Sequence, residues 1–234
     1  MKIALLGYGR MGKAIEKVAI ERGHSVVAKI DKDNKKGKLS GADVAINFSV
    51  PDAAITNIKA ALKLQIPVVC GTTGWLESID EIKQYCNKNN AAFIYSSNFS
   101  IGVNLFFKLN QVLAELMQPH RNYKAEMKEI HHSHKIDAPS GTAITLAESI
   151  INKTEIDEWS INEVKNKSTL PITIERTGEI HGTHIIAYKS SVDNIKIEHE
   201  AHSREGFALG AVITAEWIEN KKGIFSMNDV LNIN

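Results

Sequence analysis

Short apolar segments alternate with helical segments over residues 1–95, and this alternation constrains the fold more than any other feature. We predict strands at residues 2–6, 25–30, 44–47, 67–70 and 92–95. We predict helices between them at residues 11–22, 53–64 and 79–87. Alternation of this kind is typical of βαβ units and a parallel sheet. Because the apolar segments lack a strict two-residue alternation, the sheet is expected to be covered on both faces.

Beyond about residue 120 the pattern changes, because charged and apolar residues now interleave. This interleaving predicts a sheet with one solvent-exposed face. The predicted strands are residues 123–130, 172–175, 183–188 and 195–201, and the predicted helices are residues 140–151 and 207–218. The change of pattern near residue 100 predicts a boundary between two domains.

Charge and composition exclude several classes of protein. The 28 Lys and Arg residues nearly balance the 27 Asp and Glu residues, so no overall field favours nucleic acid or an anionic membrane. The chain has no apolar run near the roughly 18 residues that span a bilayer. Two cysteines are too few for a disulfide scaffold. We therefore expect a cytoplasmic globular protein with neither a nucleic-acid nor a membrane partner.

The first predicted strand runs into a G-x-G-x-x-G motif that a predicted helix follows. This glycine loop (residues 7–12) reads Gly7-Tyr8-Gly9-Arg10-Met11-Gly12. In a dinucleotide-binding turn the first glycine permits the tight turn, the second lets the backbone approach a pyrophosphate, and the third allows close helix packing. The helix N-terminus adds free N–H groups and the positive end of its dipole. The sequence therefore predicts a dinucleotide site here.

An acidic residue follows the second predicted strand, where it can select the cofactor. Asp31 lies 19 residues after Gly12, and a carboxylate there can accept hydrogen bonds from the ribose 2′-hydroxyl of NAD. Lys32, Lys35 and Lys36 follow closely and could instead bind the 2′-phosphate of NADP. They could equally form a solvated charge run in a loop. The choice between NADH and NADPH therefore stays open, and Lys32 remains a candidate cofactor-binding residue.

The fourth predicted strand ends at Cys70 and leads into the threonine loop (residues 71–74), Gly71-Thr72-Thr73-Gly74. Its position at the carboxyl end of a parallel strand predicts a second cofactor loop. Cys70 could be a nucleophile, but we favour a buried thiol, because free cysteines usually occupy apolar strand ends.

Eight of the nine histidines lie between His120 and His202, and they are densest in the histidine segment (residues 131–142). We expect no metal site, because consecutive strand residues such as His131 and His132 point to opposite faces. A structural role, in which the neighbouring sheet satisfies the histidines, is a second interpretation, which we consider for His134, His184 and His202. We favour acid–base chemistry, because His and Lys side chains carry protons beside a helix start suited to a carboxylate.

The histidine segment carries a specific family resemblance. The run His131-His132-Ser133-His134-Lys135-Ile136-Asp137-Ala138-Pro139-Ser140-Gly141-Thr142-Ala143 resembles the hallmark segment of the 4-hydroxy-tetrahydrodipicolinate reductases, also called dihydrodipicolinate reductases. The resemblance extends over essentially the whole chain, to residues 9–12, 71–74, 97–104, 176–184 and 199–211. It implies NAD(P)H-dependent reductive dehydration of a small cyclic dicarboxylate in the diaminopimelate route to lysine. The 4-hydroxyl is lost and hydride adds at the same carbon.

The resemblance also implies roles for single residues. His131 would be a proton donor and acceptor, Lys135 a proton donor, and His132 a substrate contact, while Gly141 and Thr142 would bind a substrate carboxylate. The expected cofactor-binding residues are Gly7, Tyr8, Gly9, Arg10, Met11, Gly12, Asp31, Gly71, Thr72, Thr73, Ser96, Ser97, Asn98 and Phe99. Other two-domain nicotinamide enzymes, or a sensor that binds NADH without turnover, remain alternatives that substrate tests would separate.

The implied fold is α/β. A Rossmann-like nucleotide domain with a parallel sheet comprises residues 1–99 with 206–234. An α+β domain with a mixed sheet comprises residues 100–205, binds the substrate and assembles a homotetramer. The chain departs from the commoner family form in a glycine loop one residue shorter, in a shortened stretch between Asp31 and Val44, and in Glu200 at a position that is more often basic. The first two departures again leave the choice of NADH or NADPH open.

Overall fold

The computed structural model describes residues 1–32, 35–203 and 205–233, with the backbone alone for Lys35. The strands are β1 Lys2–Leu6, β2 Ser25–Ile30, β3 Lys35–Gly37, β4 Val44–Asn47, β5 Val68–Cys70, β6 Ala92–Tyr95, β7 Lys124–His131, β8 Glu158–Ile161, β9 Thr169–Arg176, β10 Thr183–Lys189, β11 Asn194–Glu200 and β12 Gly223–Phe225. The helices are α1 Arg10–Glu21, α2 Pro51–Lys63, α3 Ile79–Lys88, α4 Ile101–Met117, α5 Gly141–Ile151, α6 Glu205–Ile218 and α7 Met227–Leu231. The chain forms two compact units, which we call the first unit (Met1–Asn104 with Glu205–Asn234) and the second unit (Leu105–Arg204).

The first unit is built on a seven-stranded sheet in the order β12-β6-β5-β4-β1-β2-β3. Its strand pairs are parallel except for the edge pair β2–β3. Successive residues of β1 alternate between two buried clusters: Ile3 and Leu5 join one, whereas Ala4 and Leu6 join the other. The sheet is therefore covered on both faces, as predicted, because neighbouring strand residues point to opposite sides.

The second unit contains a five-stranded mixed sheet in the order β11-β10-β7-β9-β8. Strands β7, β8 and β9 run parallel, and β10 is antiparallel to both β7 and β11. Its core includes Met127, Ile172 and Ile186 from the sheet, with Leu146 and Ile150 from α5. Burial of these side chains against one face of the sheet holds α5, and thus its N-terminus, in place.

Several elements escape sequence interpretation. The sequence does not predict helix α4, because apolar residues lie on its exposed face (Leu105, Leu109 and Leu116) as well as on its buried face (Ala114), which leaves little contrast between the two faces. Strands β3 and β12 each have 3 residues, too few for a periodic signal. Strand β8 and helix α7 were missed as well. Lys36 lies in β3 rather than in the loop considered for it; residues 33 and 34 lie outside the described chain.

Among the described residues, no helix combines the length and apolar character that crossing a membrane requires.

Candidate active site

The first unit presents its candidate residues at the carboxyl ends of β1, β4 and β5. Strands β1 and β4 are neighbours, yet the chain continues from β1 to β2 on one side and from β4 to β5 on the other. Such a change of direction leaves a crevice at the sheet edge, where open α/β sheets bind ligands. A cleft of about 350 Å³ lies there, lined by Gly9, Arg10, Met11, Phe48, Ser49, Pro51, Gly71, Thr72 and Thr73.

The glycine loop has the backbone geometry that its sequence predicts. Gly7 has a φ of +96°, and a Cβ there would lie 2.1 Å from the carbonyl oxygen of Phe48. A Cβ on Gly12 would lie 2.5 Å from the carbonyl oxygen of Gly7. In contrast, a Cβ on Gly9 would meet no other described atom within 4 Å, so the backbone is open to the cleft. Gly9 also precedes the first turn of α1, whose N–H groups lack intrahelical acceptors.

Asp31 lies beside the glycine loop, immediately after β2. Its carboxylate accepts hydrogen bonds from the backbone N–H groups of Tyr8 (3.3 Å) and Lys32 (2.8 Å). The Tyr8 hydroxyl donates to Glu16 and accepts from Lys29 Nζ (3.2 Å), which also lies 4.7 Å from the Tyr8 ring centroid. These contacts hold the Tyr8 ring against the protein. Sequence reasoning missed Glu16 and Lys29, which no motif identifies.

The threonine loop is held by a buried polar network. The Thr72 hydroxyl accepts from the Ser49 backbone N–H (2.8 Å) and from Asn47 Nδ2 (3.2 Å), and the Trp75 indole donates to the Thr72 carbonyl (2.6 Å). Cys70 is fully buried, and burial raises the pKa of its thiol. A thiol held protonated is a poor nucleophile, which agrees with the interpretation of Cys70 as a buried core residue.

Residues 96–99 form a tight turn after β6. The Ser96 hydroxyl donates to the carbonyl of Asn98 (2.7 Å), and the Asn98 side-chain oxygen accepts from the Ser100 N–H (2.8 Å). Ser97 is exposed, whereas the Phe99 ring is buried and lies 5.8 Å from the Phe48 ring. Of this predicted set, Phe99 therefore has only backbone atoms to offer a cofactor.

In the second unit, the candidate groups surround the buried carboxylate of Glu129, near the end of β7. Its Oε1 accepts a hydrogen bond from Arg176 Nη2 on β9 (2.5 Å). Its Oε2 accepts from the backbone N–H of Ser140 (3.0 Å), just before α5. The side chain is 0% exposed. Burial acts to raise the pKa of Glu129, but the hydrogen bonds from Ser140 and Arg176 outweigh it and hold the pKa low.

Two buried imidazoles flank this carboxylate. His131 Nδ1 and His184 Nε2 each lie 3.9 Å from Glu129 Oε2, and the two rings are 5.2 Å apart. Burial lowers the pKa of His131; the Glu129 carboxylate opposes this shift, and the cations of Lys135 and Arg176 add to it. Burial also lowers the pKa of His184 to about 4. The site thus holds two imidazoles whose pKa values are lowered by burial, and His184 stays neutral near pH 7.

Lys135 lies in the turn after β7 and pairs with a carboxylate. Its Nζ lies 2.7 Å from both carboxylate oxygens of Asp137, and hydrogen bonding from Lys135 lowers the pKa of Asp137. Arg176 Nη2 also donates to the Asp137 carbonyl (2.9 Å), so one guanidinium joins this turn to Glu129. The ammonium group of Lys135 is therefore held near the histidines by local contacts.

The N-terminus of α5 adds hydrogen-bond donors beside these groups. Ser140 caps the helix, because its hydroxyl accepts from the Ala143 N–H (3.2 Å) and shares a hydrogen bond with His184 Nε2 (3.2 Å). Gly141 and Thr142 are the first two helical residues, whose N–H groups have no intrahelical acceptors. A carboxylate is a suitable partner for these groups and for the positive end of the helix dipole.

The other histidine predictions have mixed outcomes. His184 is buried on β10, as the sheet interpretation considered, but that interpretation is wrong for His134 and His202, which are exposed. His132 is partly buried beside the turn, where its Nδ1 has no hydrogen-bond partner in the described chain. Sequence reasoning missed Glu129, although it precedes His131 by two residues and strand periodicity places both on one face.

Glu129, His131 and His184 also have the composition of a metal site, because their candidate ligand atoms lie within 4.8 Å of one another. The Arg176 guanidinium and the Ser140 N–H already occupy the Glu129 carboxylate, and the cation opposes a second positive charge. The expectation that these histidines form no metal site therefore stays a prediction that this charge arrangement supports.

Comparisons with known proteins agree with the motifs. Sequence models described as dihydrodipicolinate reductase, N-terminus and C-terminus, match residues 1–99 and 102–231. A 4-hydroxy-tetrahydrodipicolinate reductase of Christiangramia forsetii is 50% identical over 99% of this chain and 98% of its own length. One from Methanococcus maripaludis is 33% identical over the full length of both chains. The dipicolinate-bound dihydrodipicolinate reductase of Paenisporosarcina sp. TG-14 has the same fold, with a TM-score of 0.81, 21% identity and 97% of each chain covered.

Proposed function

This chain belongs to the dihydrodipicolinate reductase family, and from that membership we propose which of its residues perform the family's reaction. The protein is an oxidoreductase of lysine biosynthesis by the diaminopimelate route. It uses a pyridine nucleotide to convert 4-hydroxy-tetrahydrodipicolinate into tetrahydrodipicolinate. The observation that carries the residue assignment is the grouping of His131, Lys135 and the α5 N-terminus in one unit.

The cleft of the first unit fits a dinucleotide. Gly9 leaves the backbone open where phosphates would approach, and the first turn of α1 supplies N–H donors. We assign phosphate binding to residues 9–12 and further cofactor contacts to Gly71, Thr72, Thr73, Ser96, Ser97 and Asn98. The bound nicotinamide supplies the hydride that the reaction needs.

Asp31 is the residue that we expect to select the cofactor. It is exposed beside the glycine loop, where its carboxylate can bind a ribose 2′-hydroxyl and would repel a 2′-phosphate. We propose that NADH is preferred and NADPH accepted, with exposed Lys32 and Lys36 nearby to offset part of that repulsion.

A substitution at Asp31 tests this preference. Asp31→Ala should lower kcat/KM for NADH by about tenfold or more, because it removes a hydrogen bond to a charged group, worth about 1.5–3 kcal/mol. The rate with NADPH should hold or rise. Parallel oxidation assays measure both, with Asp43→Ala as the control carboxylate of the same unit. Equal losses with the two cofactors would contradict the assignment.

The second unit binds and protonates the substrate in this proposal. The N–H groups of Gly141 and Thr142 bind one substrate carboxylate, and His132 contacts the dicarboxylate. His131 supplies the proton with which the 4-hydroxyl leaves as water, and the Lys135 ammonium offsets negative charge that builds on the ring and is a second proton donor. His131 lies at the end of β7, Asp137 holds the Lys135 ammonium in the following turn, and Ser140 caps the start of α5.

We also propose a cytoplasmic homotetramer. Both cysteines are free thiols in the described chain, as a reducing compartment favours. Val164, Val192 and Ile195 of the second unit are exposed apolar side chains that a subunit interface would cover. Light scattering coupled to gel filtration measures the assembly, and a monomer at micromolar concentration would contradict it.

A coupled assay tests the activity directly. The synthase that makes the unstable substrate from pyruvate and aspartate semialdehyde is combined with this protein and NADH or NADPH. We expect rapid oxidation that requires the synthase, and the ratio of the two rates measures cofactor preference. Binding of NADH without oxidation would contradict the proposed function and favour a sensor or a different dehydrogenase substrate.

A further inference from the structure

Glu129 is a buried charge that the proposed chemistry does not use directly. Its carboxylate contacts groups from three other parts of the second unit: Arg176 on β9, the Ser140 N–H before α5, and His184 on β10. A buried carboxylate is costly unless it is paired and hydrogen-bonded. Here the pairing with Arg176 keeps Glu129 ionised, so a fixed negative charge lies at the centre of the site.

The His131 ring nitrogen nearest this charge, Nδ1, makes no hydrogen bond to a described residue. This nitrogen is buried and lies 3.9 Å from Glu129 Oε2. A shift of less than 1 Å would convert this contact into a hydrogen bond of ordinary length, roughly 2.7–3.2 Å. On the opposite edge of the ring, Nε2 would lie 3.0 Å from a Cβ on Gly182, so the missing side chain of that glycine leaves room beside Nε2.

We infer that Glu129 is the positioning residue for His131. Its carboxylate accepts a hydrogen bond from Nδ1–H, and this bond fixes the Nδ1–H tautomer and stabilises the imidazolium form. Nε2 is then the ring nitrogen that exchanges a proton with the substrate. The inference rests on the role proposed for His131.

The charged neighbours of His131 determine whether loss of the Glu129 charge raises or lowers the pKa of His131. Glu129 on β7 and Asp137 in the following turn favour the imidazolium, whereas Arg176 on β9 and Lys135 in the turn oppose it. His184 on β10 is neutral near pH 7, because its pKa is about 4. Of these two anions, Glu129 has the larger effect on the pKa of His131, and its carboxylate is buried whereas Asp137 is exposed. Removing the Glu129 charge must therefore lower the pKa of His131.

The first test is the pH profile of kcat for Glu129→Gln. Activity that requires protonated His131 declines on the basic side of the profile. We expect the midpoint of that decline to move to lower pH by about one unit, the lower end of the effect of a nearby opposite charge. The matched control is Glu126→Gln, on the same strand and paired with Lys189 at the surface, whose midpoint should equal that of the wild type. A folded Glu129→Gln enzyme with an unshifted midpoint would overturn the inference.

The second test needs no substitution at Glu129, and so does not depend on how that variant folds. Nitrogen-15 NMR of the wild-type protein reports which ring nitrogen of His131 carries the proton in the neutral form, with His131→Gln used to assign the signal. We expect the Nδ1–H tautomer, because Nδ1 faces the carboxylate. A dominant Nε2–H tautomer would overturn the inference.

The two proposals fail in different ways. If His131→Ala retains wild-type kcat, the role of His131 is wrong and the inference falls with it. If His131→Ala loses activity while Glu129→Gln keeps an unshifted pH profile, His131 remains the proton donor and only the role of Glu129 is wrong.

Discussion

The first unit offers a ligand mainly backbone atoms, whereas the second unit offers mainly side chains. In the glycine loop, the open position is Gly9, which presents N–H and Cα atoms to the cleft. In the second unit, the working groups are imidazole, ammonium and carboxylate side chains, of which Glu129 and His131 are 0% and 7% exposed. Backbone donors need a particular turn, whereas buried ionisable side chains need partners for their charges. The two halves of one reaction therefore depend on different physical requirements.

The largest effect is expected at His131, where a side chain has a chemical role. His131→Ala should lower kcat by roughly a hundredfold or more, the usual scale for loss of a general acid or base. Nucleotide affinity should not change, because the glycine loop belongs to the other unit. Steady-state kinetics and nucleotide titration measure the two quantities, with exposed His134→Ala as control. A His131→Ala enzyme with wild-type kcat would show that the side-chain half of the comparison is wrong.

The second-largest expected effect is a change in the free energy of unfolding with pH. The pKa of His184 is lowered from 6.5 to about 4, so the unfolded chain binds a proton that the folded chain excludes. The stabilisation is complete above about pH 6.5 and is lost as pH falls toward 4. We expect the free energy of unfolding to drop by about 2 kcal/mol between pH 7 and pH 5 through this residue.

Denaturant titrations at the two pH values measure that drop. His184→Gln should reduce the dependence on pH, whatever its effect on stability at pH 7. His134→Gln, which replaces an exposed imidazole, should keep the wild-type dependence. An unchanged pH dependence in His184→Gln would show that folding does not shift the pKa of His184.

A smaller effect is expected at Lys135. Lys135→Ala should lower kcat/KM for the dicarboxylate by about tenfold, with both KM and kcat affected, since charge-assisted hydrogen bonds contribute about 1.5–3 kcal/mol. Lys128→Ala, on β7 and paired with Glu175 (2.8 Å), is the control for a lysine outside the site. Unchanged KM and kcat in Lys135→Ala would remove this residue from the substrate site.

The smallest expected effect is on nucleotide binding, and it tests whether the glycine loop offers its backbone to the ligand. Gly9→Ala should weaken nucleotide binding by about fivefold, or ~1 kcal/mol, because its methyl group would enter the open cleft. Thermal stability should match that of Gly41→Ala, the control, because neither new Cβ would meet another described atom within 4 Å. A loss of stability specific to Gly9→Ala would mean that the cleft is not open at this residue.

Local sequence patterns predict those parts of this protein whose residues are neighbours along the chain. The glycine loop, the threonine loop and the strand–helix alternation all follow from local spacing, and the structure contains the elements they predict. The histidine segment resembles a known family strongly enough to indicate the reaction class, because its residues are contiguous along the chain, from His131 at the end of β7 to the start of α5.

Tertiary structure alone decided what surrounds His131. Glu129, Arg176 and His184 come from β7, β9 and β10, and the register of those strands brings His131 opposite Arg176 and Glu129 opposite His184. A pattern of apolar residues predicts strands and their faces but not which strands pair or in what register. Strand pairing is fixed by packing of the whole sheet, so the positions of Arg176 and His184 beside His131 could be found only in the folded chain, whereas strand periodicity places Glu129 on the same face as His131.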